Sequence, residues 1–248
     1  NPKQEINIGL VGKYIKLKDS YKSISEAFIH ASTEKNCKVN IKWINAEELT
    51  EVNIKEELQD LNGVLVAPGF GDRGIEGKIN AIKFVRENNI PFLGICLGMQ
   101  CAVIEYARNI LKMPDANSTE MSPNTAFPVI DIMANQKNIE NKGGTMRLGS
   151  YNCTLEKNSY SYKAYQKLKI EERHRHRYEF NNKYLKDFND HGMQCVGKNP
   201  DNNLIEIVEV PSHPWFVGVQ FHPEYNSNVL NPHPLFSGFV DACLENKL

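Results

Sequence analysis

The residues Pro91-Phe-Leu-Gly-Ile-Cys96-Leu-Gly-Met-Gln100 take the chain from an apolar, strand-like segment straight into a helical pattern that continues to Arg108. So abrupt a turn leaves no room for side chains on its flanks, and Gly94-x-Cys96-x-Gly98 places a glycine on either side. The pattern is that of a nucleophile elbow, with cysteine in place of serine. At the mouth of a helix, free N–H groups and the positive dipole end favour a thiolate. Cys96 is therefore expected to titrate below the value of about 8.5 of a free thiol. A buried structural cysteine is the other reading, and the residues that could serve Cys96 decide between them.

A strand-to-helix turn of this kind belongs in an α/β sheet, and the preceding residues repeat the rhythm. Ile6 to Gly12 reads as a strand, Tyr21 to Lys35 as a helix, Val39 to Ile44 as a strand and Asn53 to Leu61 as a short helix. Gly63 to Gly69 is apolar throughout, as a buried parallel strand is. It leads into a glycine-rich loop, Gly69-Phe-Gly71-Asp-Arg-Gly74-Ile-Glu-Gly77, and a helix from Lys78 to Glu87. This alternation predicts a mainly parallel central sheet flanked by helices, with ligands bound beyond the carboxyl ends of the strands. Later residues add β-like segments at 151–155, 172–180, 193–197, 204–210 and 215–221, and 234–244 closes the chain as an amphipathic helix. The turn-rich Asp115–Glu120 and a polar stretch over 135–149 interrupt the pattern, the latter expected to be a mobile lid. With 248 residues and no internal repeat or linker, one domain over 1–248 is expected.

A reactive cysteine needs a base and a group to orient it. Val217-Gly-Val-Gln-Phe-His222-Pro-Glu224 reads as an apolar strand that delivers His222 at its carboxyl end. Pro223 stiffens a turn that lets Glu224 reach back to the imidazole. An oxyanion needs two donors. The N–H of Leu97, next after the nucleophile, is the first, and the loop after the third strand supplies the second. Pro68 has no N–H, which leaves Gly69. Charge excludes other classes: 29 basic against 30 acidic residues generate no field for nucleic acid or an anionic membrane. The six cysteines, at 37, 96, 101, 153, 195 and 243, have neither disulfide-framework nor zinc spacing, which points to the cytoplasm. Gly9-x-x-Gly12-Lys13 lacks the ending of a P-loop. His174 and His176 without a third ligand make no zinc site. No run of 18 apolar residues spans a membrane. The chain opens on Asn1-Pro-Lys-Gln-Glu with no initiator Met, as a piece of a longer protein would.

Gly94-Ile-Cys-Leu-Gly-Met-Gln100 with Phe221-His-Pro-Glu224 resembles the class I glutamine amidotransferase domains, which have a flavodoxin-like architecture and release ammonia from glutamine. The segments at 69–77, 115–120, 143–149 and 172–179 narrow the resemblance to the C-terminal glutaminase domains of CTP synthases, over nearly the whole chain. One departure is Ala67-Pro68-Gly69-Phe70-Gly71, where that family usually has Pro-Gly-Gly-Phe-Gly. The resemblance implies L-glutamine as substrate, with Arg177 on its carboxylate, Glu120 on its ammonium, Gln100 in contact with it and Phe70 walling the pocket. If 172–179 is one strand, Arg173, Arg175 and Arg177 share a face opposite His174 and His176. The resemblance further implies no cofactor in this domain, and a full-length homo-oligomer in which a covalently linked N-terminal amidoligase domain uses ATP and Mg2+ to aminate UTP. GTP acts there as activator, through the loop carrying Gly143 to Arg147. The rivals are another class I amidotransferase or γ-glutamyl hydrolase with the same triad, or a non-catalytic glutamine- or nucleotide-sensing domain.

Overall fold

Short apolar runs bounded by polar or glycine-rich turns become strands, and the segments with apolar residues at helical spacing become the helices between them. The computed structural model describes residues 2–15, 17–132 and 146–246. Its first half alternates β1 (Gln4–Gly12), α1 (Lys22–Glu34), β2 (Cys37–Asn45), α2 (Ile54–Leu58), β3 (Gly63–Val66), α3 (Ile75–Glu87), β4 (Phe92–Ile95) and α4 (Leu97–Asn109). The second half contributes β5 (Asn117–Ser118), β6 (Pro128–Ile132), β7 (Arg147–Leu155), α5 (Tyr160–Tyr165), β8 (Lys169–His176) and β9 (Tyr178–Phe180). After them come α6 (Leu185–Asp190), β10 (Gln194–Lys198), β11 (Ile205–Glu209), β12 (Phe216–Val219) and α7 (Pro234–Glu245).

Among the described residues, nine strands form one sheet in the order β2-β1-β3-β4-β12-β11-β10-β7-β8. It is parallel from β2 through β12 and antiparallel beyond, so the added strands of the second half extend a parallel sheet at one edge. β5, β6 and β9 make a separate small sheet. Helices cover both faces. Ile24, Ala27 and Phe28 of α1 join Phe236 and Phe239 of α7 on one side, with the Phe28 and Phe236 rings edge to face at 5.2 Å. Ile79, Ile82 and Val85 of α3 join Met99 and Val103 of α4 on the other. Each fully buried Ile, Val, Met or Phe of this kind contributes about 1.5–3 kcal/mol. Among the described residues, no helix is long and apolar enough to cross a membrane.

Several boundaries differ from the sequence reading. The helix expected from Lys78 begins at Ile75, so Gly77 lies in its first turn and not in the glycine loop. It is glycine because any Cβ there would run into the carbonyl of Ala46. The stretch 172–180 is not one strand. It breaks at Arg177, leaving β8 in the large sheet and β9 in the small one. On β8 the period-two expectation holds for Arg173 and Arg175, which are exposed, and for His174 and His176, which are buried. Arg177, at the bend, leaves that face. Of the expected lid over 135–149, residues 135–145, including Gly143, lie outside the described residues, and Arg147 to Gly149 open β7, with Gly149 at a φ of +104°.

Candidate active site

β4 and β12 lie side by side and parallel, in register from Phe92 with Phe216 to Ile95 with Val219. Whatever follows one strand is thereby set beside whatever follows the other, which brings the elbow at Cys96 next to the Gln220–Glu224 segment. Cys96 N–H donates to Val219 O at 2.7 Å, fastening the two strand ends together.

Cys96 stands immediately before α4 with φ +51° and ψ −102°. A side chain in this region costs about 1–3 kcal/mol, strain that proteins keep chiefly where a site requires it. The flanking glycines have steric reasons. A Cβ on Gly94 would lie 2.8 Å from Gly98 C and 2.7 Å from Phe92 Cζ, and one on Gly98 would overlap the Val66 carbonyl oxygen. The strained turn aims Sγ at Arg175 O, 4.0 Å away, and into a cleft lined by Gly69, Phe70, Gln100, Glu120, Arg177 and Tyr178 among others. All of the expected glutamine-binding residues therefore meet in one cleft with the expected nucleophile.

His222 and Glu224 are both buried, and His222 Nδ1 donates to Glu224 Oε1 at 2.8 Å. That bond fixes the tautomer and leaves Nε2 for the sulfur side. Burial disfavours the imidazolium, but the adjoining Cys96 sulfur and the Glu224 carboxylate outweigh it and push His222 up to about 11. That direction favours the imidazolium beside the sulfur. Tyr225 stacks on it at 5.1 Å and His222 N–H donates to Arg173 O, so the ring is held from several sides.

The two expected oxyanion donors belong to adjacent residues in space: a Cβ on Gly69 would touch Leu97 Cδ2 at 3.4 Å. Leu97 is the first residue of α4, where an N–H has no intrahelical acceptor. The loop bearing Gly69 is clamped from within. Lys78 Nζ donates to Ala67 O at 2.7 Å and Lys13 Nζ donates to Phe70 O. Lys78 is wholly buried, and that burial lowers its ammonium to about 8. Glu120 accepts from Gly71 N–H at 3.0 Å, which ties the expected ammonium site to the same loop.

Two neighbours of the site went unmarked in the sequence, Lys78 and Gln220, and a third, the pair His174–His176, has a role the sequence did not suggest. Gln220 Nε2 lies 3.7 Å from Cys96 Sγ, and its Oε1 accepts from Gln100 Nε2 at 3.2 Å. The histidines, weighed only as metal ligands, bond to one another at 3.0 Å. His174 approaches Glu206 at 3.6 Å, and Arg147 donates to the same carboxylate at 2.6 Å. Burial lowers both histidines, His176 most. Beside them burial raises Glu179 from 4.5 to about 8, with Glu206 and Asp131 adding to the shift and Arg147 opposing it. Its Oε2 is buried with no hydrogen-bond partner, as suits a neutral carboxyl.

Glu179 has a stability consequence of definite sign. Because the folded-state value lies above the unfolded one, its contribution is complete below about pH 4.5 and is lost as pH rises toward about 8. Gln in its place removes that loss. The Glu179→Gln variant is expected to unfold about 4 °C above the parent at pH 8, with the gap closing near pH 5, as thermal scans across that range would record.

A profile of the family described as glutamine amidotransferase class-I matches residues 16–242. A CTP synthase from Cytophaga hutchinsonii is 62% identical over 243 residues, covering 98% of this chain and 45% of that protein. One from Flavobacterium johnsoniae is 57% identical over 244 residues, with coverage of 98% and 45%. The chain thus spans about half the length of the curated relatives it matches. Among solved structures, the glutaminase domain of Trypanosoma brucei CTPS with bound acivicin superposes with a TM-score of 0.91 at 35% identity, covering 98% of this chain and 95% of that one. A glutamine amidotransferase from Thermotoga maritima, at 14% identity and a TM-score of 0.53, shares the fold, covering 97% of this chain and 96% of that one.

Proposed function

The chain belongs to the class I glutamine amidotransferases, as a glutaminase domain of the CTP synthase kind, and from that premise we propose that it hydrolyses glutamine through Cys96, His222 and Glu224. The observation carrying this reading is the strained Cys96 elbow seated against a buried His222 whose far nitrogen is locked by Glu224. Cys96 Sγ attacks the side-chain carbonyl carbon of glutamine, and the π electrons move onto oxygen. Gly69 and Leu97 offer that oxyanion their N–H groups. His222 passes its proton from Nε2 to the departing nitrogen, the C–N bond breaks, and ammonia leaves behind a γ-glutamyl thioester. Water then gives a proton to His222 and its oxygen to the acyl carbon, the C–S bond breaks, and glutamate is released.

In the same reading Arg177 grips the substrate carboxylate, Glu120 the ammonium, and Gln100 and Phe70 flank the side chain. At the ammonium site the carboxylate of Glu120, which now accepts from Gly71 N–H, would meet a donor that is itself charged. The single domain acts as an ammonia source. The amination of UTP, its ATP and Mg2+, and activation by GTP belong to the remaining half of the full-length enzyme, which the resemblance makes a homo-oligomer. Trapping a γ-glutamyl adduct on Cys96, seen as a mass shift, together with release of ammonia and glutamate in equal amounts, tests the assignment. An adduct on any other residue would overturn it. Arg177→Ala, which removes a charge-assisted fork, is expected to raise KM for glutamine about 50-fold while kcat stays within a few-fold. Steady-state ammonia release measures both.

A further inference from the structure

The carboxamide of Gln220 is fully buried, takes no part in the steps above, and lies between the nucleophile and the glutamine cleft. The oxygen and nitrogen of an amide are told apart only by their partners, and here one partner is unambiguous. The backbone carbonyl of Tyr178 can only accept, so the Gln100 atom 2.9 Å from it is Nε2. The same Nε2 lies 3.2 Å from the Gln220 side chain, which must meet it with Oε1. Nε2 of Gln220 is then the atom 3.7 Å from Cys96 Sγ. An N–H, and not a lone pair, faces the sulfur. His176 donates Nδ1–H to the same Tyr178 carbonyl at 3.0 Å, which holds the anchor from a second side. The backbone of Gln220 is fixed as well, by its N–H to Glu206 O at 2.8 Å.

We propose that Gln220 is a positioning residue for the glutaminase reaction, donating from Nε2 to Cys96 Sγ and accepting at Oε1 from Gln100, so that one side chain sets both the nucleophile and the pocket amide. The proposal rests on the reading of Cys96 as the nucleophile of a glutaminase. It has two chemical consequences. The N–H stabilises negative charge on sulfur, both before attack and when the thioester is broken. In addition, both N–H groups of Gln100 are already engaged, on Tyr178 O and Gln220 Oε1, so Gln100 has only its Oε1 to offer glutamine. That acceptor suits an N–H of the substrate, on its carboxamide or its ammonium.

The test compares Gln220→Met, which keeps the length and removes the amide, with Gln220→Glu, which keeps the size and places a carboxylate at the sulfur. Labelling of the parent by the glutamine analogue 6-diazo-5-oxonorleucine checks the underlying reading by itself, and no adduct on Cys96 in the parent overturns both. With that adduct present, the pH midpoint for alkylation of Cys96 by iodoacetamide, followed on the Cys96 peptide, is expected to rise by about one unit in Gln220→Met and by more in Gln220→Glu. Glutamine kcat is expected to fall about 10- to 100-fold, with circular dichroism unchanged. A folded variant of either kind with its alkylation midpoint and kcat within twofold of the parent overturns the proposal. So does loss of folding in both, since the amide would then be purely structural.

Discussion

Replacing Cys96 with alanine is expected to reduce glutamate formation from glutamine by at least about ten-thousand-fold, while the thermal midpoint stays within a few degrees of the parent. The two halves of this result have separate physical origins. Without Sγ no thioester forms, and His222, relieved of the sulfur that raises it most, has with the two oxyanion donors only water to assist, so the residual rate is that of binding and electrostatics. The fold loses little, because alanine adopts the same φ of +51° at a similar cost and the lost sulfur's contacts, to Arg175 O at 4.0 Å, to Gln220 at 3.7 Å and to the His222 imidazole, are those of the site and not of the core. A glutamate-specific coupled assay and a thermal scan on the same preparation make the measurement. Substantial retained activity would place the nucleophile elsewhere, and no other cysteine qualifies by environment: burial raises Cys101 to about 11 and Cys195 to about 12.

The pairing of Cys96 with His222 was legible because each sits at the end of its own apolar run. A parallel sheet brings such ends together whatever the intervening sequence does. Glu224 was legible for a local reason, the Pro223 turn. Gln220 was not, although it stands two residues from His222, because it follows the last β12 residue and nothing in its identity tells which neighbour its amide meets. Lys78 escaped notice for a different reason. A lysine in a helix is ordinarily solvated, and only the fold shows that this one points inward to Ala67 O beneath the glycine loop. The break at Arg177 was equally hidden, since Arg-His-Arg-His-Arg alternates without interruption. The chain leaves the large sheet there only because β9 finds β6 as a partner. That partner was itself missed, as β5 and β6 are short and lie in a turn-rich stretch. The same departure nonetheless takes Arg177 off the exposed face of β8 and into the cleft where the glutamine carboxylate is expected.

Gly98→Ala is expected to lower the thermal midpoint by about 10 °C, the effect of roughly 3 kcal/mol of overpacking in a chain of this size, and to abolish most of the glutaminase activity. Alanine is ordinarily the better residue inside a helix, by about 1 kcal/mol, so helix propensity alone predicts the opposite sign. Close approach decides against it. The new Cβ would overlap the carbonyl oxygen of Val66 and lie 3.1 Å from its carbonyl carbon, and backbone cannot rotate aside as a side chain can. Either β3 or α4 must give way. Movement of α4 carries Leu97 N–H away from the Gly69 loop and relaxes the turn that holds Cys96 at positive φ, so the oxyanion donors and the nucleophile are lost together. A Gly71→Ala variant provides the contrast. Its Cβ would meet nothing within 4 Å, and its φ of +72° imposes only local strain. It should therefore cost about 1 kcal/mol and leave the elbow in place. Thermal scans with Cys96 labelling by 6-diazo-5-oxonorleucine separate the two: labelling is expected to disappear in Gly98→Ala and to persist in Gly71→Ala. Equal stability of the two variants would mean that the packing of α4 against β3 is not what forms the elbow.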